Sequence, residues 1–498
     1  MNKPVSNHET IIAEALGDLR KTIEFAEEMG NVEFIEGADP ELEIGAIYEL
    51  SLEDAQPPVL LFRNIKGFPA GYRIVMNIRH SKVFDTGAVG LEMVEQHRRN
   101  RRSKVEPIPP IAVDTGPVLE NIMEGDAINV LAFPAPKWHA DDGGRYIGTE
   151  CIVITRDPDS DWVNLGTYRV QVHDRKTLCV FIEHGKHGDV IRRKYWARGQ
   201  PCPMIVSVGQ SPVLGAVGAA TPGPHVSEYA VAGSRLGRPV EVIDGKHTGI
   251  PFPADAELVF EGFMPAPETA SAPEGPFGEW PGYYASSTRP EPVLQVKAIY
   301  YRSDPIIVGA PPMKPTLPAF YGPGGWVHGR AAALWDDLEA AGVPGIKGVW
   351  KMQGGGVRFI NVIAIEQQHA GHAKMAGLVA AGCGSNAYLG RIVIVVDSDI
   401  DITNPAEVMW ALATRWDPRT QTDIIDGCWT GYIDPTIPPE RREAHDLSNS
   451  RIIIYAVRPW AWRDQFPKVN AVSADYADKI RDKWKDKLEF LARRSARK

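Results

Sequence analysis

The order of hydrophobic and polar positions divides the 498-residue chain into three regions with different predicted structures. In the first hundred residues, apolar positions recur at helical spacing in HETIIAEALGDLRKTIEFAEEMG and form a continuous run in PPVLLFRNI. These patterns predict a helix and a strand, respectively. We therefore expect a small α/β region over residues 1–112.

The middle region, residues 113–320, changes to short apolar or alternating runs that are separated by Gly, Pro and Asp turns. Runs of this length and spacing predict the strands of an antiparallel barrel or of a mixed sheet. NLGTYRVQVHD is expected to be one strand or strand entry. The segments with this pattern are TECIVITRD, NLGTYRVQVHD, TLCVFIEHG, CPMIVSVG, AELVFEGFM and VLQVKAIYYR.

The third region, residues 321–498, returns to an α/β pattern. RIVIVVDSDID predicts a buried strand of the kind found in parallel sheets, and NPAEVMWALATRW predicts a helix. In that helix Asn404 is the expected N-cap and Pro405 lies in the first turn. This region should therefore form a second core.

The chain ends in another predicted helix, ADYADKIRDKWKDKLEFLARRSARK, whose apolar residues lie near one stripe. A terminal helix with such a stripe needs a covering surface, which either a partner subunit or the same chain would provide. The stripe consists of Tyr476, Ile480, Trp484, Leu488 and Leu491.

The composition limits the classes of function. A chain with 44% hydrophobic and 23% charged residues has the composition of a soluble globular protein. The net charge of -9 argues against a nucleic-acid partner, because phosphate binding uses clustered Lys and Arg. The basic run QHRRNRRSK is interpreted as an exposed helix end or loop. No segment reaches the roughly 18 apolar residues of a membrane span.

The five cysteines are scattered and have no CxxC spacing. This arrangement predicts neither a disulfide framework nor a zinc site. A reducing compartment fits best, so we expect a cytoplasmic protein.

The segment EGPFGEWPGYY places two acids, Glu274 and Glu279, among glycine, proline and bulky aromatic residues. Aromatic neighbours usually seek burial, and a carboxyl held among them would be partly desolvated, with a raised pKa. Such an acid can carry a proton at neutral pH. The alternative is a solvated loop in which the two acids have no chemical role.

Other polar residues stand out in the middle region: Asn164 and Arg169 in one segment, then His187 and Glu228. An amide oxygen, an imidazole and a carboxylate together suit Mn²⁺ or Mg²⁺ better than zinc. By spacing alone, a lone histidine is more often a structural residue than a metal ligand. The chain contains no G-x-G-x-x-G after a strand, no P-loop and no G-x-S-x-G elbow.

Five segments in this order, NLGTYR, KHGD, EYAVAG, EGPFGEWPGY and IVIVVDSDIDITNPAEVMWALATR, resemble the UbiD family of reversible decarboxylases that use prenylated flavin mononucleotide (prenylated FMN, prFMN). The similarity runs from about DPELEIGAI to GYIDP. It implies an N-terminal α/β region, a central flavin-binding domain of the split-barrel type, and a C-terminal α/β domain that forms the dimer.

The resemblance also implies roles for individual residues. The family's Mn²⁺ ligands, which hold the flavin phosphate through the metal, fall on Asn164, His187 and Glu228. Its catalytic set falls on Arg169, Glu274 and Glu279: Glu279 matches the proton donor, and the other two match the network that positions and tunes it. Two acids beside one guanidinium in an apolar pocket should titrate as a coupled pair that retains one proton near neutral pH.

A potassium ion is implied beside the manganese, in contact with Glu228 and with backbone carbonyls near Trp162 and in the AVGAA turn. That turn departs from the hydroxyl-bearing version of some relatives. Arg391 matches a lysine that contacts the flavin phosphate in relatives. Lys186, assigned with it to the cofactor-binding set, replaces a glutamine that precedes the metal histidine.

Glu183 lies where an apolar pocket residue is common in the family. Both Glu183 and Lys186 either face the pocket, where they would influence the choice of substrate, or lie on the surface. Trp429 and Tyr432 either stack on a substrate ring or are packed structural aromatics.

The resemblance implies a carboxy-lyase that removes CO₂ without oxidation, and reversibly, from an aromatic, heteroaromatic or α,β-unsaturated carboxylic acid. A flavin prenyltransferase would supply the cofactor, and the enzyme would be a homodimer or a higher homo-oligomer. The alternatives are a flavin oxidoreductase on a split-barrel scaffold and a cofactor-binding subunit without catalysis. Neither the substrate nor the physiological direction follows from the sequence.

Overall fold

The computed structural model describes residues 14–102, 106–220, 223–285, 287–323, 325, 327–356, 358–484 and 487–488. Their contacts divide the chain into two units. The first unit consists of the described residues within Met1–Thr86, Arg102–Val327 and Gly431–Leu447. The second unit consists of the described residues within Gly87–Arg101, His328–Thr430 and Ser448–Lys498. The extents of the three predicted domains stay predictions.

The N-terminal part of the first unit is α/β, as its sequence pattern predicts. Asp18 caps the first helix by accepting a hydrogen bond from the backbone N–H of Lys21 at 3.0 Å. The elements are α1 (Leu19–Glu28), β1 (Val32–Glu36), α2 (Glu43–Ser51), β2 (Val59–Arg63) and β3 (Arg73–Met76), followed by α3 (Leu91–Arg102), most of which belongs to the second unit.

The middle of the first unit is dominated by strands. In chain order its elements are β4 (Ile111–Ala112), β5 (Asn121–Glu124), β6 (Tyr146–Gly148), β7 (Ile152–Arg156), β8 (Val163–Gly166), β9 (Arg169–Asp174), β10 (Thr177–Phe181), α4 (His187–Ala197), β11 (Cys202–Val208), α5 (Pro212–Ala220), α6 (Glu228–Leu236), β12 (Glu241–Asp244), β13 (Pro251–Pro253), β14 (Leu258–Met264), β15 (Ser271–Glu274), β16 (Arg289–Tyr301) and β17 (Ile306–Gly309).

Ten of these strands form one antiparallel sheet in the order β6-β9-β10-β16-β14-β11-β7-β8, with β15 and β5 also paired to β16. The sheet curls into a half-barrel. The predicted antiparallel, split-barrel type of fold is therefore confirmed. β17 is not part of this sheet. It pairs in parallel with β3 and so extends the sheet formed by the N-terminal strands β1, β2 and β3.

The expectation of a single strand over NLGTYRVQVHD is wrong, because the chain breaks at Thr167 and Tyr168 into β8 and β9. β8 is the last strand in the sheet order and β9 is the second, although only these two residues join them. A dipeptide spans roughly 10 Å between its neighbours at most, so the two ends of the sheet must lie close together. This connection requires the sheet to curl, and it brings Asn164 on β8 near the start of β9.

The second unit is built on a five-stranded sheet. Its strands, in sheet order, are β18 (Ile346–Lys351), β19 (Ile360–Ile365), β20 (Ile392–Asp397), β22 (Ser448–Ala456) and β21 (Thr422–Trp429), and β20 runs parallel to both neighbours. The predicted parallel strand is thus confirmed, and so is the cap of the following helix: Asn404 accepts a hydrogen bond from the N–H of Ala406 at 3.0 Å. The elements are α7 (Val327–Ala340), β18 (Ile346–Lys351), β19 (Ile360–Ile365), α8 (His372–Gly382), β20 (Ile392–Asp397), α9 (Pro405–Arg415), β21 (Thr422–Trp429), α10 (Pro439–Glu443, in the first unit), β22 (Ser448–Ala456) and α11 (Ala474–Trp484).

The terminal helix α11 presents part of its apolar stripe to solvent. Tyr476 is 56% exposed and Leu488, just beyond the helix, is 37% exposed. Leu491, also predicted in the stripe, lies outside the described residues. Among the helices that the structure describes, none is both long and apolar enough to cross a membrane.

Candidate active site

Arg169 holds both acids of the EGPFGEWPGYY segment. Its Nε and Nη2 donate to the two carboxylate oxygens of Glu274 at 2.7 and 2.9 Å, and its Nη1 donates to Oε1 of Glu279. All three side chains are buried. The solvated-loop alternative for the two acids is therefore wrong, because a single buried guanidinium bridges them.

The surroundings of this cluster are apolar and aromatic. The guanidinium carbon of Arg169 lies 4.1 Å from the ring centroid of Phe181 and 5.4 Å from that of Phe277. Burial raises the pKa of Glu279, Arg169 opposes that rise, and the charges of Glu274 and Glu183 add to it. The net direction is upward, so the protonated form of Glu279 is favoured more than in an ordinary glutamate.

The aromatic residues that desolvate the cluster are only partly those of its own segment. Phe277 is buried, as expected, but Tyr283 is 61% exposed, and Tyr284 is 38% exposed and donates its hydroxyl to Asp142 at 3.0 Å. Tyr146 on β6 and Phe181 on β10 supply the remaining apolar cover, and no local feature of the sequence marks either of them.

The loop between the two acids is fixed by close backbone packing. The N–H of Gly275 donates to Oε1 of Gln171 at 3.1 Å, and the N–H of Gly143 donates to the carbonyl of Pro276 at 2.8 Å. A Cβ on Gly143 would lie 1.9 Å from the carbonyl oxygen of Gly275, so only glycine fits there. The two glutamates are thereby held at fixed positions on either side of Arg169.

The three residues expected to bind manganese each have a buried side-chain atom without a partner. Among the described residues, nothing hydrogen-bonds to Nδ2 of Asn164, Nδ1 of His187 or Oε1 of Glu228. Buried polar atoms are normally paired, so three orphaned atoms on these residues need an explanation. The described part of the chain contains no cluster of three or more His, Cys, Asp or Glu side chains with metal-binding geometry, and this trio has only two such members.

Secondary structure places the trio around the break between β8 and β9. His187 and Glu228 are the first residues of α4 and α6, and Asn164 lies on β8. The N–H of Gly188 donates to the hydroxyl oxygen of Tyr168 at 3.2 Å, and the N–H of Leu165 donates to Oε2 of Glu228 at 3.3 Å.

The electrostatic state of the trio suits a cation. Burial raises the pKa of Glu228 to about 7. Burial lowers the pKa of His187, helped by the charge of Lys186, so its imidazole is neutral at pH 7 and available as a ligand. An amide oxygen, a neutral imidazole nitrogen and a carboxylate oxygen are ligands that fit a divalent cation such as Mn²⁺.

Trp162 lies against this trio. Its ring centroid is 5.0 Å from that of His187, and its indole N–H donates to the carbonyl of Val226 at 3.2 Å. The backbone carbonyl of Trp162 accepts a hydrogen bond from Asp157 at 2.9 Å. The expectation of a turn at AVGAA is wrong: residues 216–220 form the last part of helix α5, where the final carbonyls lack partners within the helix.

The two basic residues of the predicted cofactor set lie in different units. Lys186 is the N-cap residue of α4, next to His187. Arg391 belongs to the second unit, where its guanidinium carbon lies 4.9 Å from the ring centroid of Phe359. Their contacts with a flavin stay predictions.

A cavity of about 730 Å³ lies in the first unit beside the Arg169 cluster. Glu183 and Tyr432 are among its lining residues, whereas Lys186 is not. Trp429 belongs to the second unit, where its ring centroid is 5.0 Å from that of Tyr388. Its lining residues include Phe181, Glu183, Pro276, Arg289, Glu291 and Tyr432.

Comparison with known families identifies one that spans most of the chain. Models of the N-terminal, Rift-related and C-terminal domains of 3-octaprenyl-4-hydroxybenzoate carboxy-lyase, UbiD, match residues 23–82, 111–315 and 326–456. Two curated relatives are similar over most of their length. Pyrrole-2-carboxylic acid decarboxylase of Pseudomonas aeruginosa is 33% identical over 406 residues, which are 76% of this chain and 79% of the relative. Phenolic acid decarboxylase of Streptomyces sp. (strain D7) is 30% identical over 420 residues, which are 81% of this chain and 84% of the relative.

Solved structures of UbiD-class enzymes have the same fold. HmfF from Pelotomaculum thermopropionicum in complex with FMN is 29% identical with a TM-score of 0.76, and the match covers 92% of this chain and 98% of that one. An evolved dimeric form of HmfF in complex with prFMN is 27% identical with a TM-score of 0.74 and the same coverage.

Proposed function

The chain belongs to the UbiD family of carboxy-lyases, and on that premise we propose that it decarboxylates an aromatic, heteroaromatic or α,β-unsaturated carboxylic acid. The reaction is non-oxidative and reversible, uses prenylated FMN, and takes its proton from Glu279. The observation that supports this most is the buried Glu274–Arg169–Glu279 cluster, in which the pKa of Glu279 is raised by burial despite the adjacent guanidinium.

Asn164, His187 and Glu228 would hold Mn²⁺, and through it the flavin phosphate. Nδ1 of His187 and Oε1 of Glu228 are buried atoms without a partner among the described residues, and Asn164 would contribute its amide oxygen. Lys186, which precedes His187, would add positive charge toward the phosphate. Arg391 would belong to the cofactor-binding set through the match to the lysine of relatives. K⁺ would bind beside the manganese at Glu228, the carbonyl of Trp162 and the C-terminal carbonyls of α5. When bound, prenylated FMN would supply the electron sink that an sp² carboxylic acid lacks.

The protein residues have three tasks in the proposed reaction. Arg169 orients Glu279 and balances the charge of Glu274. Phe181 and Phe277 keep water from the guanidinium and the two acids. Glu279 delivers its proton to the carbon from which CO₂ has departed, and in carboxylation the same carboxylate removes the proton from that carbon.

The cavity beside the cluster would hold the substrate ring. Tyr432 offers an aromatic face there, although its hydroxyl is also hydrogen-bonded to His445, which is consistent with a structural role as well. Glu183 brings a negative charge to the cavity close enough to Glu279 to raise the pKa of that residue.

We place the enzyme in the cytoplasm as a homodimer or a higher homo-oligomer, dependent on a flavin prenyltransferase for its cofactor. The five cysteines are unpaired, which fits a reducing compartment. The exposed Tyr476 and Leu488 at the terminal helix fit a surface that a second copy covers, so a solution mass above the 54.8 kDa of one chain is expected.

The test is release of CO₂ by protein produced together with a flavin prenyltransferase. A panel of pyrrole, furan, indole, benzoic and cinnamic acids should contain at least one that is decarboxylated, and the protein should carry the absorption band of a modified flavin. Ordinary FMN that is turned over by NADH would instead identify an oxidoreductase. Bound prenylated FMN with no turnover of any acid would identify a cofactor-binding subunit.

A further inference from the structure

Arg289 and Glu291 form an ion pair in the wall of the cavity. They are two residues apart on β16, so their side chains are on the same face of the strand. Nε of Arg289 donates to Oε1 of Glu291 at 2.6 Å, and the side chains are 28% and 11% exposed, respectively. Both residues line the cavity.

The ring of Phe181 contacts both Arg289 of this pair and Arg169 of the catalytic cluster. In the sheet β10 lies between β9 and β16, so Phe181 has Arg169 on one side and Arg289 on the other. The guanidinium carbons of Arg169 and Arg289 lie 4.1 and 4.5 Å from the Phe181 centroid. Glu274 and Arg289 are also directly opposite each other in the pairing of β15 with β16.

The pair retains hydrogen-bonding capacity, and both of its residues line the cavity. In the described part of the chain, the hydrogen bond between Nε and Oε1 is the one hydrogen bond that either side chain makes. The terminal nitrogens of Arg289 can still donate, and Oε2 of Glu291 can still accept. The cavity wall therefore presents a donor and an acceptor side by side.

We propose that Arg289 and Glu291 determine specificity by binding a ring hydroxyl of the substrate, which accepts from Arg289 and donates to Glu291. This inference rests on the proposed function, because it takes the cavity to be the substrate site. A second carboxylate could accept from Arg289 but could not donate to Glu291, and an unsubstituted ring would leave both polar groups without a partner. A methoxy group could accept but not donate.

The experiment compares benzoic acid with its three monohydroxy isomers, the corresponding methoxy acids and the benzenedicarboxylic acids on the reconstituted holoenzyme. At least one hydroxy isomer should be preferred over benzoic acid in kcat/KM. In the double variant Arg289→Met/Glu291→Leu that preference should fall about tenfold, mainly through KM. The double variant removes both charges together, and apolar replacement of a buried pair is usually tolerated by the fold.

Glu124→Gln is the control, because it breaks the exposed pair with Lys246 elsewhere in the same unit and should leave the preference unchanged. Calorimetric binding of the same acids gives a readout without turnover. If no acid is decarboxylated but hydroxy acids still bind better, and only while the pair is intact, the proposed function fails and the inference stands. An unchanged preference in a folded double variant, or a wild-type preference for dicarboxylic acids, would overturn the inference.

Discussion

Tyr146 donates its hydroxyl hydrogen to Oε1 of Glu274 at 3.0 Å in the core of the half-barrel. The same oxygen accepts from Nε of Arg169, so Glu274 is held from two directions. The two acids are therefore held differently: Glu274 accepts from both Tyr146 and Arg169, whereas Glu279 is bound by Arg169 and has a pKa that burial raises.

Replacing Tyr146 with Phe should lower the free energy of unfolding by about 1–2 kcal/mol, since a buried hydrogen bond to a charged group is lost. Turnover should also fall, by roughly threefold to tenfold, because Glu274 then orients Arg169 less well. Urea denaturation and steady-state kinetics measure the two effects. Tyr300→Phe is the matched control: its hydroxyl donates to the buried Glu261 at 2.7 Å, away from Arg169. An equal loss of turnover in both variants would deny Tyr146 a specific role.

Glu279→Gln should reduce decarboxylation by roughly two orders of magnitude or more, the usual scale for the loss of a general acid. The amide keeps the size and a hydrogen-bonding oxygen for Arg169, so flavin and metal content should match the wild type. Glu274→Gln should also be slow, but through a changed pKa of Glu279 and a misplaced Arg169. Wild-type turnover in Glu279→Gln, with the substitution verified by mass spectrometry, would remove Glu279 from the mechanism.

The pH dependence of turnover should report the pKa of Glu279, to which the charge of Glu183 contributes. Glu279 must be protonated to donate, so decarboxylation should decline as the pH rises through its raised pKa. Glu183 contributes to that rise, and Glu183→Gln should therefore move the decline to lower pH. Glu443→Gln changes another lining glutamate, one that is exposed, and should leave the pH profile in place. A profile that does not move in Glu183→Gln contradicts the assignment of Glu279 as the donor.

Much of the fold could be predicted from local patterns, since strand alternation and the cap at Asn404 depend on neighbouring residues. The break between β8 and β9 could not, because the apolar pattern of NLGTYRVQVHD continues through Thr167 and Tyr168. The same holds for Gly431–Leu447, which contacts the first unit although it lies in the sequence between strands of the second. Periodicity identifies a buried face but not the core that covers it.

The residues of the site that lie within sequence motifs could be predicted, whereas those brought close by strand pairing could not. The order of motifs identified Arg169, Glu274 and Glu279, and the structure brings these three into direct contact. Phe181 and Tyr146 could not be found, because their importance arises from pairing across strands that are distant in sequence. Arg289 was missed for the same reason: it neighbours Phe181 only because β10 and β16 are adjacent in the sheet.

His187→Ala should lower manganese and flavin content together, because the metal is proposed to carry the flavin phosphate. Metal analysis and the flavin absorbance of the purified protein measure both. His225→Asn is the control: its ring is also 5.0 Å from Trp162, it is not a proposed ligand, and asparagine tolerates its positive φ of 64°. Full flavin occupancy without bound metal in His187→Ala would refute the ligand assignment.

Lys351 should make the stability of the second unit depend on pH. This lysine is buried at the end of β18, and its Nζ donates to Asn361 and, at 3.2 Å, to Asn386. Burial lowers its pKa from 10.5 to about 7, with Arg358 and Arg330 contributing. Between those pH values the unfolded chain binds a proton that the folded chain does not, so the free energy of unfolding should rise with pH.

Lys351→Met should abolish that rise. Hydrogen exchange of the β18 and β19 amides in urea, measured at several pH values across the interval, reports the stability of this sheet. Lys347→Met on the same strand is the control, because Lys347 is a more exposed lysine paired with Glu366, and it should retain the wild-type slope. The hydrogen bonds lost in Lys351→Met lower stability by a similar amount at every pH, so the slope isolates the titration. An equally steep rise in Lys351→Met would show that Lys351 does not control it.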